Sequence, residues 1–425
     1  MIYLFTFLPF YLSPMSIAIY TLTSTLHDEK AIDRVTNDFL GSLNFDYDFK
    51  GSNYTDFGSS TINLIFVRTG GTEGLFLQMF DHLLHCAHHP FYLLTSGKSN
   101  SLAASMEILA FLRQQGCEGE IIHGTADYVT KRIRLLERVE QARRMLMDTR
   151  LGVIGKPSDW LIASQADRDV VRQKLGVELV DVPMDELLTA IDQISAGSIG
   201  LEGWESEDYH RVITNFKSQT SNLKGATIIY HALKTIIEKH HLSGFTLRCF
   251  DLLSTVHNTG CLALALLNSE GIVAGCEGDV PAMLTMKVAQ ALTGITGFQA
   301  NPAHIDPQTG RMLFAHCTIP LNMVERYELD THFESGIGVA IRGYVKPGPV
   351  TIFKLAGDLS RSFVAEGVLL ECQDKSDLCR TQMFIQLDDP ALANYFLTCP
   401  IGNHHIILPG HHAEILRLSF TTDKK

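Results

Sequence analysis

The chain has 425 residues, of which 45% are hydrophobic and 19% charged, and this is enough apolar material for two or three folded domains. It contains 35 Lys and Arg residues against 47 Asp and Glu residues, which gives a formal net charge of −12. This acidic balance argues against nucleic-acid and anionic-membrane partners, because both need a basic surface, and it leaves small molecules such as sugars open.

The first 20 residues are almost entirely apolar and carry no formal charge. Their length suits a membrane span, but Pro9 and Pro14 interrupt the run, and the basic segment of a signal peptide is missing. We interpret residues 16–22 as a first buried strand and residues 1–14 as an extension upstream of Met15. No membrane partner is therefore expected, with a membrane anchor as the alternative.

Apolar runs alternate with helical patterns over residues 15–150, which we predict to form an N-terminal α/β domain. Short strands separated by amphipathic helices indicate β-α-β units and a Rossmann-like parallel sheet. The predicted strands are Ser16–Leu22, Thr61–Arg68, Phe91–Thr95 and Glu120–His123, and the predicted helices are Ala31–Leu40, Glu73–Cys86 and Leu102–Gln115. The turns in this region match neither a Walker loop nor a dinucleotide fingerprint.

A long charged helical pattern, Thr125–Thr149, leads into a second predicted α/β domain with the bounds 151–295. The alternation of apolar runs and helical periodicity starts again there, which predicts a second Rossmann-like parallel sheet. The predicted strands are Leu151–Gly155, Val177–Val182, Phe245–Phe250 and Ile272–Cys276, and the predicted helices are Ala166–Leu175, Asp185–Ile194, Tyr209–Gln219, Leu223–His240, Asn258–Leu267 and Ala282–Leu292.

Helical periodicity fades after Gly294, and short β-rich runs separated by Gly, Pro and Asp follow. Their regular spacing predicts a β-rich C-terminal domain over residues 296–425, built as an antiparallel sheet or barrel. The predicted strands are Met312–His316, Val339–Val345, Val350–Leu355, Gly367–Glu371, Gln382–Leu387 and Glu414–Phe420, and Pro390–Leu397 is a predicted short helix.

The chain has nine cysteines, an odd number, and no two of them form a CxxC motif. Several lie in apolar runs such as 245–250. Disulfide scaffolds and zinc ribbons need paired or regularly spaced cysteines. The pattern is instead typical of reduced thiols and predicts a cytoplasmic protein.

The clearest candidate for chemistry is the segment AGCEGDVPAMLTM, which places Glu277 just after a buried strand. Ligands of open α/β sheets bind at the carboxyl ends of strands, so we expect Glu277 to lie in a site. Asp279, two residues before Pro281, is predicted to cap the next helix or to contact substrate. Trp160 follows another strand-ending turn and is expected to pack in the core or to stack on a sugar face.

Histidines follow in the C-terminal part, namely His316 in AHCTIP and His404 and His405 in GNHH. A carboxylate with histidines is typical of Mn²⁺, Fe²⁺ or Zn²⁺ sites that keep open positions. His405 is a candidate for packing or for substrate binding. Four histidines between residues 82 and 89 offer an alternative zinc site, although basic residues are equally favoured at a helix C-terminus.

The run CEGDVPAMLTMKVAQALTG, residues 276–294, followed by Asn301 and by the closing GNHH, resembles the L-fucose isomerase and L-arabinose isomerase superfamily. The chain is most similar to the shorter, fucose-isomerase-related branch, and the order of two α/β domains and one β-rich domain also fits. The resemblance implies a metal-dependent aldose–ketose isomerase that uses Mn²⁺, acts on a small sugar of the fucose or arabinose type through an enediol, and forms a homo-oligomer.

The resemblance also implies roles for individual residues. Glu277 matches the metal-binding and acid/base Glu of the superfamily, and His404 matches its C-terminal metal ligand. His316 matches a further histidine of the arabinose branch. The second acidic position of the catalytic pair falls on Asn301, whose carbonyl oxygen can bind a hard cation but which cannot act as a base.

Because Asn301 departs from the pattern of the superfamily, two alternatives stay open. One is a sugar-binding relative that has lost catalysis, and the other is a different metal-assisted reaction on a carbohydrate, such as lyase or epimerase chemistry. Asp279 and Asp306 are the acids that could take the place of the missing one.

Overall fold

The computed structural model describes residues 16–86, 90–197 and 221–419. The predicted extension 1–14 and the predicted helix Tyr209–Gln219 lie outside the described residues. The chain divides into two compact units, 1–144 and 145–425. Among the described helices, none combines the length and the apolar character needed to cross a lipid bilayer.

The first unit is built on a five-stranded parallel sheet with the strand order β2-β1-β3-β4-β5. All six residues of β1 are buried, as expected for a central strand covered on both faces. The strands are β1 Ile17–Leu22, β2 Asp48–Gly51, β3 Ile62–Val67, β4 Phe91–Leu94 and β5 Gly119–Ile122, and the helices are α1 Glu29–Gly41, α2 Glu73–Cys86, α3 Ser101–Gln114 and α4 Ala126–Leu146. The predicted α/β class of this part is confirmed.

The second unit begins with a four-stranded parallel sheet in the order β7-β6-β8-β9. Its strands are β6 Arg150–Ile154, β7 Glu178–Val182, β8 Gly244–Leu247 and β9 Val273–Gly275. Its helices are α5 Arg168–Leu175, α6 Met184–Ser195, α7 Ser221–His240, α8 Asp251–Thr255, α9 Cys261–Ser269 and α10 Val280–Thr293. The second predicted parallel sheet is therefore confirmed as well.

The rest of the second unit is a closed antiparallel barrel of six strands in the order β10-β11-β16-β15-β14-β17. The barrel strands are β10 Phe298–Asp306, β11 Arg311–His316, β14 Gly348–Leu355, β15 Ser362–Gln373, β16 Thr381–Leu387 and β17 His405–Pro409. A separate hairpin pairs β12 Arg326–Asp330 with β13 Ala340–Tyr344, short 3-10 turns occupy Leu321–Met323 and Pro390–Leu392, and the last helices are α11 Ala393–Thr398 and α12 Ala413–Ser419. The predicted β-rich C-terminal part is confirmed as a barrel, while the bounds 151–295 and 296–425 stay a prediction.

The predicted last strand, Glu414–Phe420, is wrong, because the described part of this segment is the helix α12. Its seven residues are too few for the apolar pattern to separate a period of two from a period of 3.6. Tertiary contacts decide the outcome: Ala413 and Leu416, one helical turn apart, are both buried, and the Ala413 N–H donates to Glu366 Oε1 at 3.0 Å.

Sheet and barrel of the second unit share one apolar core. Helix α10 contributes much of it, because ten of its 14 residues are buried. The helix packs against β9 of the sheet on one side and against β14 and β17 of the barrel on the other. The residues that follow β9 are therefore held next to the residues at the start of β17.

Lys287 on α10 gives a prediction about stability and pH. Burial lowers the pKa of its ammonium group to about 8, against an ordinary value of 10.5, so the fold disfavours the charged form. Lys287→Met is expected to raise the free energy of unfolding at pH 7 by about 1–3 kcal/mol. The gain should shrink as the pH rises from 8 to 10.5, because the unfolded wild-type chain then loses its proton as well.

Urea unfolding at pH 7, 9 and 10.5 measures this difference between Lys287→Met and the wild type. Lys346→Met, which replaces an exposed lysine of the same unit, is the control and should show no such trend. A stability gain that stays constant over this pH range would contradict the prediction.

Candidate functional site

Glu277 follows β9 in a strained backbone conformation. Its φ of 62° lies in the left-handed region, which costs a non-glycine residue about 1–2 kcal/mol. Gly278 has a φ of 69°, and a Cβ at this position would lie 2.5 Å from the carbonyl oxygen of Lys156, so only glycine fits. The Ser158 N–H donates to the Glu277 carbonyl oxygen at 3.0 Å and fixes this turn. Such strain is typical of functional sites.

Three buried side chains meet at this turn, and the sequence predicts all three as metal ligands. Glu277 Oε1 lies 3.6 Å from His316 Nε2 and 3.4 Å from His404 Nε2. One donor atom from each residue lies within 4.8 Å of the other two. Glu277 comes from the sheet, and the two histidines come from the ends of barrel strands, so the site depends on the shared core.

Asp279 holds His404 in place. Its Oδ1 accepts a hydrogen bond from the Ala282 N–H at 2.8 Å, which is the predicted helix cap, and its Oδ2 lies 2.8 Å from His404 Nδ1. The residue is fully buried, and its direct contact with substrate stays a prediction. A carboxylate on one imidazole nitrogen orients the other nitrogen, a common arrangement behind metal-binding histidines.

Trp160 contacts the other oxygen of Glu277. Its indole N–H donates to Oε2 at 2.8 Å, while its ring packs edge-on against Phe250 with a centroid distance of 4.8 Å. The side chain is 51% exposed, so the expectation that it packs in the core is wrong. Because the indole occupies Oε2, Oε1 is left to face the two histidines.

Trp160→Phe is a test of this orienting contact. The variant keeps an aromatic ring against Phe250 but loses the N–H donor, so we expect divalent-metal affinity to fall by about tenfold, with little change in the free energy of unfolding. Calorimetric titration with Mn²⁺ measures the affinity. Ile162→Ala, which truncates a side chain that is 87% exposed, is the control. An unchanged metal affinity in Trp160→Phe would show that the hydrogen bond is dispensable.

The charges of the site are strongly coupled. Burial raises the pKa of Glu277, but His316 and His404 outweigh this effect and hold the pKa well below its usual range. Burial lowers the pKa of His404, but Asp279 and Glu277 overcome it and raise the pKa to about 9. Burial lowers the pKa of His316. The two carboxylates thus favour a positive charge at His404 Nε2, where a proton and a metal cation compete.

Asn301 lies on β10 opposite Ala315, the residue before His316. Two residues earlier on the same strand, the Gln299 side chain bonds the N–H and the carbonyl oxygen of Cys276, which directly precedes Glu277. Residues i and i+2 of a strand share a face, so Asn301 lies on the face that carries Gln299. Its Oδ1 is buried and has no hydrogen-bond partner within the described residues.

The residues present fit a divalent transition-metal ion. Glu277 offers a carboxylate oxygen, His316 and His404 offer imidazole nitrogens, and Asn301 offers an amide oxygen. This mixture of oxygen and nitrogen donors suits Mn²⁺, Fe²⁺ or Zn²⁺. His404 Nε2, like Asn301 Oδ1, is buried without a hydrogen-bond partner in the part of the chain that the structure describes. Buried polar atoms without a partner are costly, and a cation held by Glu277 and the two histidines would satisfy His404 Nε2.

His405 and Asp306 do not join this group. The Tyr395 hydroxyl donates to His405 Nε2, and its Nδ1 bonds the carbonyl oxygen of Asn403, while burial, followed by Lys354, lowers its pKa to about 3. This fully buried ring has both nitrogens bonded, which favours the packing role of His405, and its role in substrate binding stays a prediction. Asp306 accepts hydrogen bonds within its own turn at the far end of β10.

The structure adds a loop that sequence reasoning missed. Residues 331–339 connect the hairpin strands and carry His332 and Glu334. The His332 ring packs edge-on against Phe250, the same ring that Trp160 contacts. Burial, and then the negative charge of Glu277, raise the pKa of Glu334. The sequence of this loop has no motif that would have pointed to it.

Lys354 is a further residue near the site that the sequence analysis did not identify. It lies on β14, is 1% exposed, and its Nζ is 3.8 Å from Asp279 Oδ2. A sequence clue was present, since a single charged residue stands in the apolar run Val350–Leu355. Buried lysines are rare unless they are paired or functional.

Within the described residues, the other histidine clusters show no buried group like that of Glu277, His316 and His404. His82 and His85 each bond a backbone carbonyl oxygen, that of Tyr54 and that of Asp81 respectively, and the last two histidines of that segment lie outside the described residues. A second group of Glu366, Asp388 and His411 lies at the surface, where acidic side chains often gather without a metal. All nine cysteines are free thiols.

Comparison with known proteins gives one family and several relatives. Residues 162–294 match the family described as the L-arabinose isomerase central domain. Two proteins named sulfoquinovose isomerase, from Priestia aryabhattai and Priestia megaterium, are each 23% identical to this chain over 296 residues, which cover 64% of the chain and 63% of the relative. A third protein of that name, from Alkalicoccus urumqiensis, is 21% identical over 266 residues. The chain thus spans less than two thirds of the length of these relatives.

Proposed function

Since the chain belongs to the superfamily related to the L-arabinose and L-fucose isomerases, we propose that it is a metal-dependent aldose–ketose isomerase that acts on a small sugar. The observation that carries this proposal is the buried group of Glu277, His316 and His404, with Asp279 behind one ligand and Trp160 on another. The names of the relatives make sulfoquinovose one substrate to test, beside fucose-type and arabinose-type aldoses.

Glu277 Oε1, the Nε2 atoms of His316 and His404, and Asn301 Oδ1 would hold the metal, for which we propose Mn²⁺. When bound, the cation would supply Lewis-acid stabilisation for the negative charge that develops on the sugar during isomerisation. Asp279 keeps the His404 ring in the tautomer that leaves Nε2 available, and Trp160 keeps Glu277 oriented.

Isomerisation moves a proton between two neighbouring carbon atoms of the sugar, and a side chain must accept and return this proton. Glu277 Oε1 faces the Nε2 atoms of both His316 and His404, which favours a ligand role over the base role that the resemblance implies. Asn301 cannot carry a proton in this way. We propose that Glu334, an exposed carboxylate on the loop that packs on Phe250 beside Trp160, transfers this proton.

Glu334→Gln is expected to lower kcat by about 10²- to 10⁴-fold and to leave the affinity for metal unchanged, because the amide cannot exchange protons. The pH–rate profile of the wild type should contain an acidic limb that is absent from the variant. Glu328→Gln, which replaces an exposed carboxylate on β12, is the control. If Glu334→Gln retains full turnover, another group moves the proton.

The proposed function is tested by treating the purified protein with EDTA and reloading it separately with Mn²⁺, Mg²⁺ and Zn²⁺. Each sample is incubated with a panel of aldoses that includes L-fucose, L-arabinose and sulfoquinovose, and ketose formation is followed by NMR. We expect turnover of at least one aldose that depends on the added metal. The same spectra would detect lyase or epimerase products, which would contradict isomerisation, as would the absence of any product.

A sugar-binding relative without turnover is the second candidate, and Asn301 favours it because one acid of the expected pair is missing. In that case the protein binds an aldose tightly, forms no product, and keeps its sugar affinity in Glu277→Gln. We also propose a homo-oligomer in the cytoplasm, which sedimentation and cell fractionation would test.

A further inference from the structure

Two buried thiol groups meet beside the Glu277 turn. Cys249 lies two residues after β8 and Cys276 directly follows β9, and these two strands pair side by side in the parallel sheet. The residues are 7% and 3% exposed, and their Sγ atoms lie 3.1 Å apart. Because the sulfur atoms of a disulfide are about 2.05 Å apart, an approach of about 1 Å would bring this pair to bonding distance.

The backbone holds the two strand ends together around this pair. The Gly278 N–H donates to the Leu247 carbonyl oxygen at 2.9 Å, and the Cys249 N–H donates to the same oxygen at 2.8 Å. The Thr246 hydroxyl donates to the Cys276 carbonyl oxygen at 3.4 Å. Because both cysteines stand on segments that hydrogen bonds already join, a cross-link between them needs only a local movement of the two turns.

A small cavity at the surface reaches Cys249. Its lining combines Cys249 and Cys261 with the rings of Phe250 and His332. Its volume of about 10 Å³ is close to the space that one water molecule needs. Hydrogen peroxide is only slightly larger than water, whereas an oxidant such as glutathione disulfide is many times larger. The cavity therefore favours a peroxide as the oxidant that reaches this sulfur atom.

Both cysteines stand next to residues of the Glu277 site. Cys276 directly precedes Glu277, whose φ of 62° is already strained. Cys249 directly precedes Phe250, which packs against the Trp160 ring at a centroid distance of 4.8 Å, and the Trp160 indole donates to Glu277 Oε2 at 2.8 Å. Metal ligands must be held within about 0.5 Å of their working geometry. An approach of about 1 Å between the two sulfur atoms is therefore large enough to disturb the Glu277 carboxylate.

We propose that Cys249 and Cys276 form a reversible disulfide, and that this cross-link weakens the binding of a divalent metal at the Glu277 site. The pair would thereby lower the activity of the protein when peroxide is present and restore it when a dithiol reductant returns the two thiols. This inference rests on the proposed function, because the metal whose binding it controls is the metal of the proposed isomerase.

The oxidation balances with one molecule of hydrogen peroxide. The Cys249 sulfur atom takes one peroxide oxygen as the O–O bond breaks, which gives a sulfenic acid and one water molecule. The Cys276 sulfur atom then bonds to the Cys249 sulfur atom and displaces the oxygen as a second water molecule. Two thiols and one peroxide thus give one disulfide and two water molecules, with two electrons passing from sulfur to oxygen.

The first test maps the cross-link. The metal-free protein is treated with hydrogen peroxide, its remaining thiols are blocked with iodoacetamide, and its peptides are analysed by mass spectrometry without reduction. We expect a Cys249–Cys276 disulfide that dithiothreitol reverses and that is absent from Cys249→Ser and Cys276→Ser. Cys399→Ser, which removes an exposed thiol, is the control and should keep the cross-link. Cross-links confined to the other cysteines would overturn the inference.

The second test measures Mn²⁺ affinity by calorimetry in the reduced and the oxidised protein. We expect oxidation to weaken Mn²⁺ binding by at least about tenfold in the wild type and in Cys399→Ser, and to change it by less than about twofold in Cys249→Ser. A cross-linked wild type with unchanged Mn²⁺ affinity would overturn the inference. Reduced protein that binds no Mn²⁺ would overturn the proposed function, whereas reduced protein that binds Mn²⁺ and isomerises a sugar but forms no cross-link would overturn this inference alone.

A third measurement needs only the wild type, so it serves if the cysteine variants fail to fold. If the cross-link weakens Mn²⁺ binding tenfold, saturating Mn²⁺ must favour the reduced pair by the same factor. For a two-electron couple this factor corresponds to about 30 mV. We therefore expect redox buffers of dithiothreitol to give a reduction potential that is higher by at least about 30 mV with saturating Mn²⁺ than with EDTA. Equal potentials in the two conditions would overturn the inference.

Discussion

Glu277→Gln is expected to abolish isomerase turnover, with kcat lower by at least about a thousandfold, and to weaken Mn²⁺ binding by at least about a hundredfold. Among the residues that the structure describes, Glu277 is the carboxylate that lies close to both histidines, with Oε1 at 3.4 Å from His404 Nε2 and 3.6 Å from His316 Nε2. The amide has nearly the same shape but no charge, so the cation loses its anionic ligand while the packing is kept. Calorimetric titration with Mn²⁺ and ketose formation measure the two effects separately.

The matched control for Glu277→Gln is His411→Asn, which removes a half-exposed histidine from the surface group with Glu366. It should leave Mn²⁺ affinity and turnover unchanged. Unaltered Mn²⁺ affinity in Glu277→Gln would show that the metal binds elsewhere. Lost turnover with unaltered metal affinity would show instead that Glu277 acts on the sugar and not on the metal.

Much of the fold follows from the sequence because local patterns and burial agree there. The first sheet shows this: β1, β3 and β4 are short apolar runs between helical patterns, and each lies where the pattern predicts it. Strand β10 was missed because Pro302 and the polar residues around it dilute its apolar pattern, and its pairing depends on β11 and β17. Barrel closure is a long-range property that no local window contains.

The site was also predictable only in part, because its contacts join residues that lie far apart in the sequence. Motif and strand position predict Glu277 and His404, since both lie in distinctive segments. The contacts that orient them could not be predicted, because Trp160 reaches Glu277 across 117 positions and Asp279 reaches His404 across 125. Lys354 became interpretable only when the barrel placed it beside Asp279.

Asp279→Asn is expected to lower the free energy of unfolding by about 3–5 kcal/mol in the presence of EDTA. Asp279 is fully buried and bonds His404 Nδ1 at 2.8 Å, with the Lys354 ammonium group 3.8 Å away. Burial raises its pKa, but Lys354 and His404 outweigh this effect and hold it below the usual range. The variant therefore leaves a buried ammonium group without its counterion. Urea unfolding monitored by fluorescence measures the loss, and EDTA removes the contribution of bound metal.

A double-mutant cycle shows whether the loss comes from this charge pair. In Asp279→Asn combined with Lys354→Met, the ammonium group is absent, so the double variant should be more stable than Asp279→Asn by about 1–3 kcal/mol. The hydrogen bond to His404 is weakened in both backgrounds and cancels from the cycle. If the two single changes instead add, Asp279 and Lys354 do not interact, and the loss in Asp279→Asn comes from its hydrogen bond to His404. A positive coupling would show that the Asp279 carboxylate and the Lys354 ammonium group stabilise each other in the folded protein.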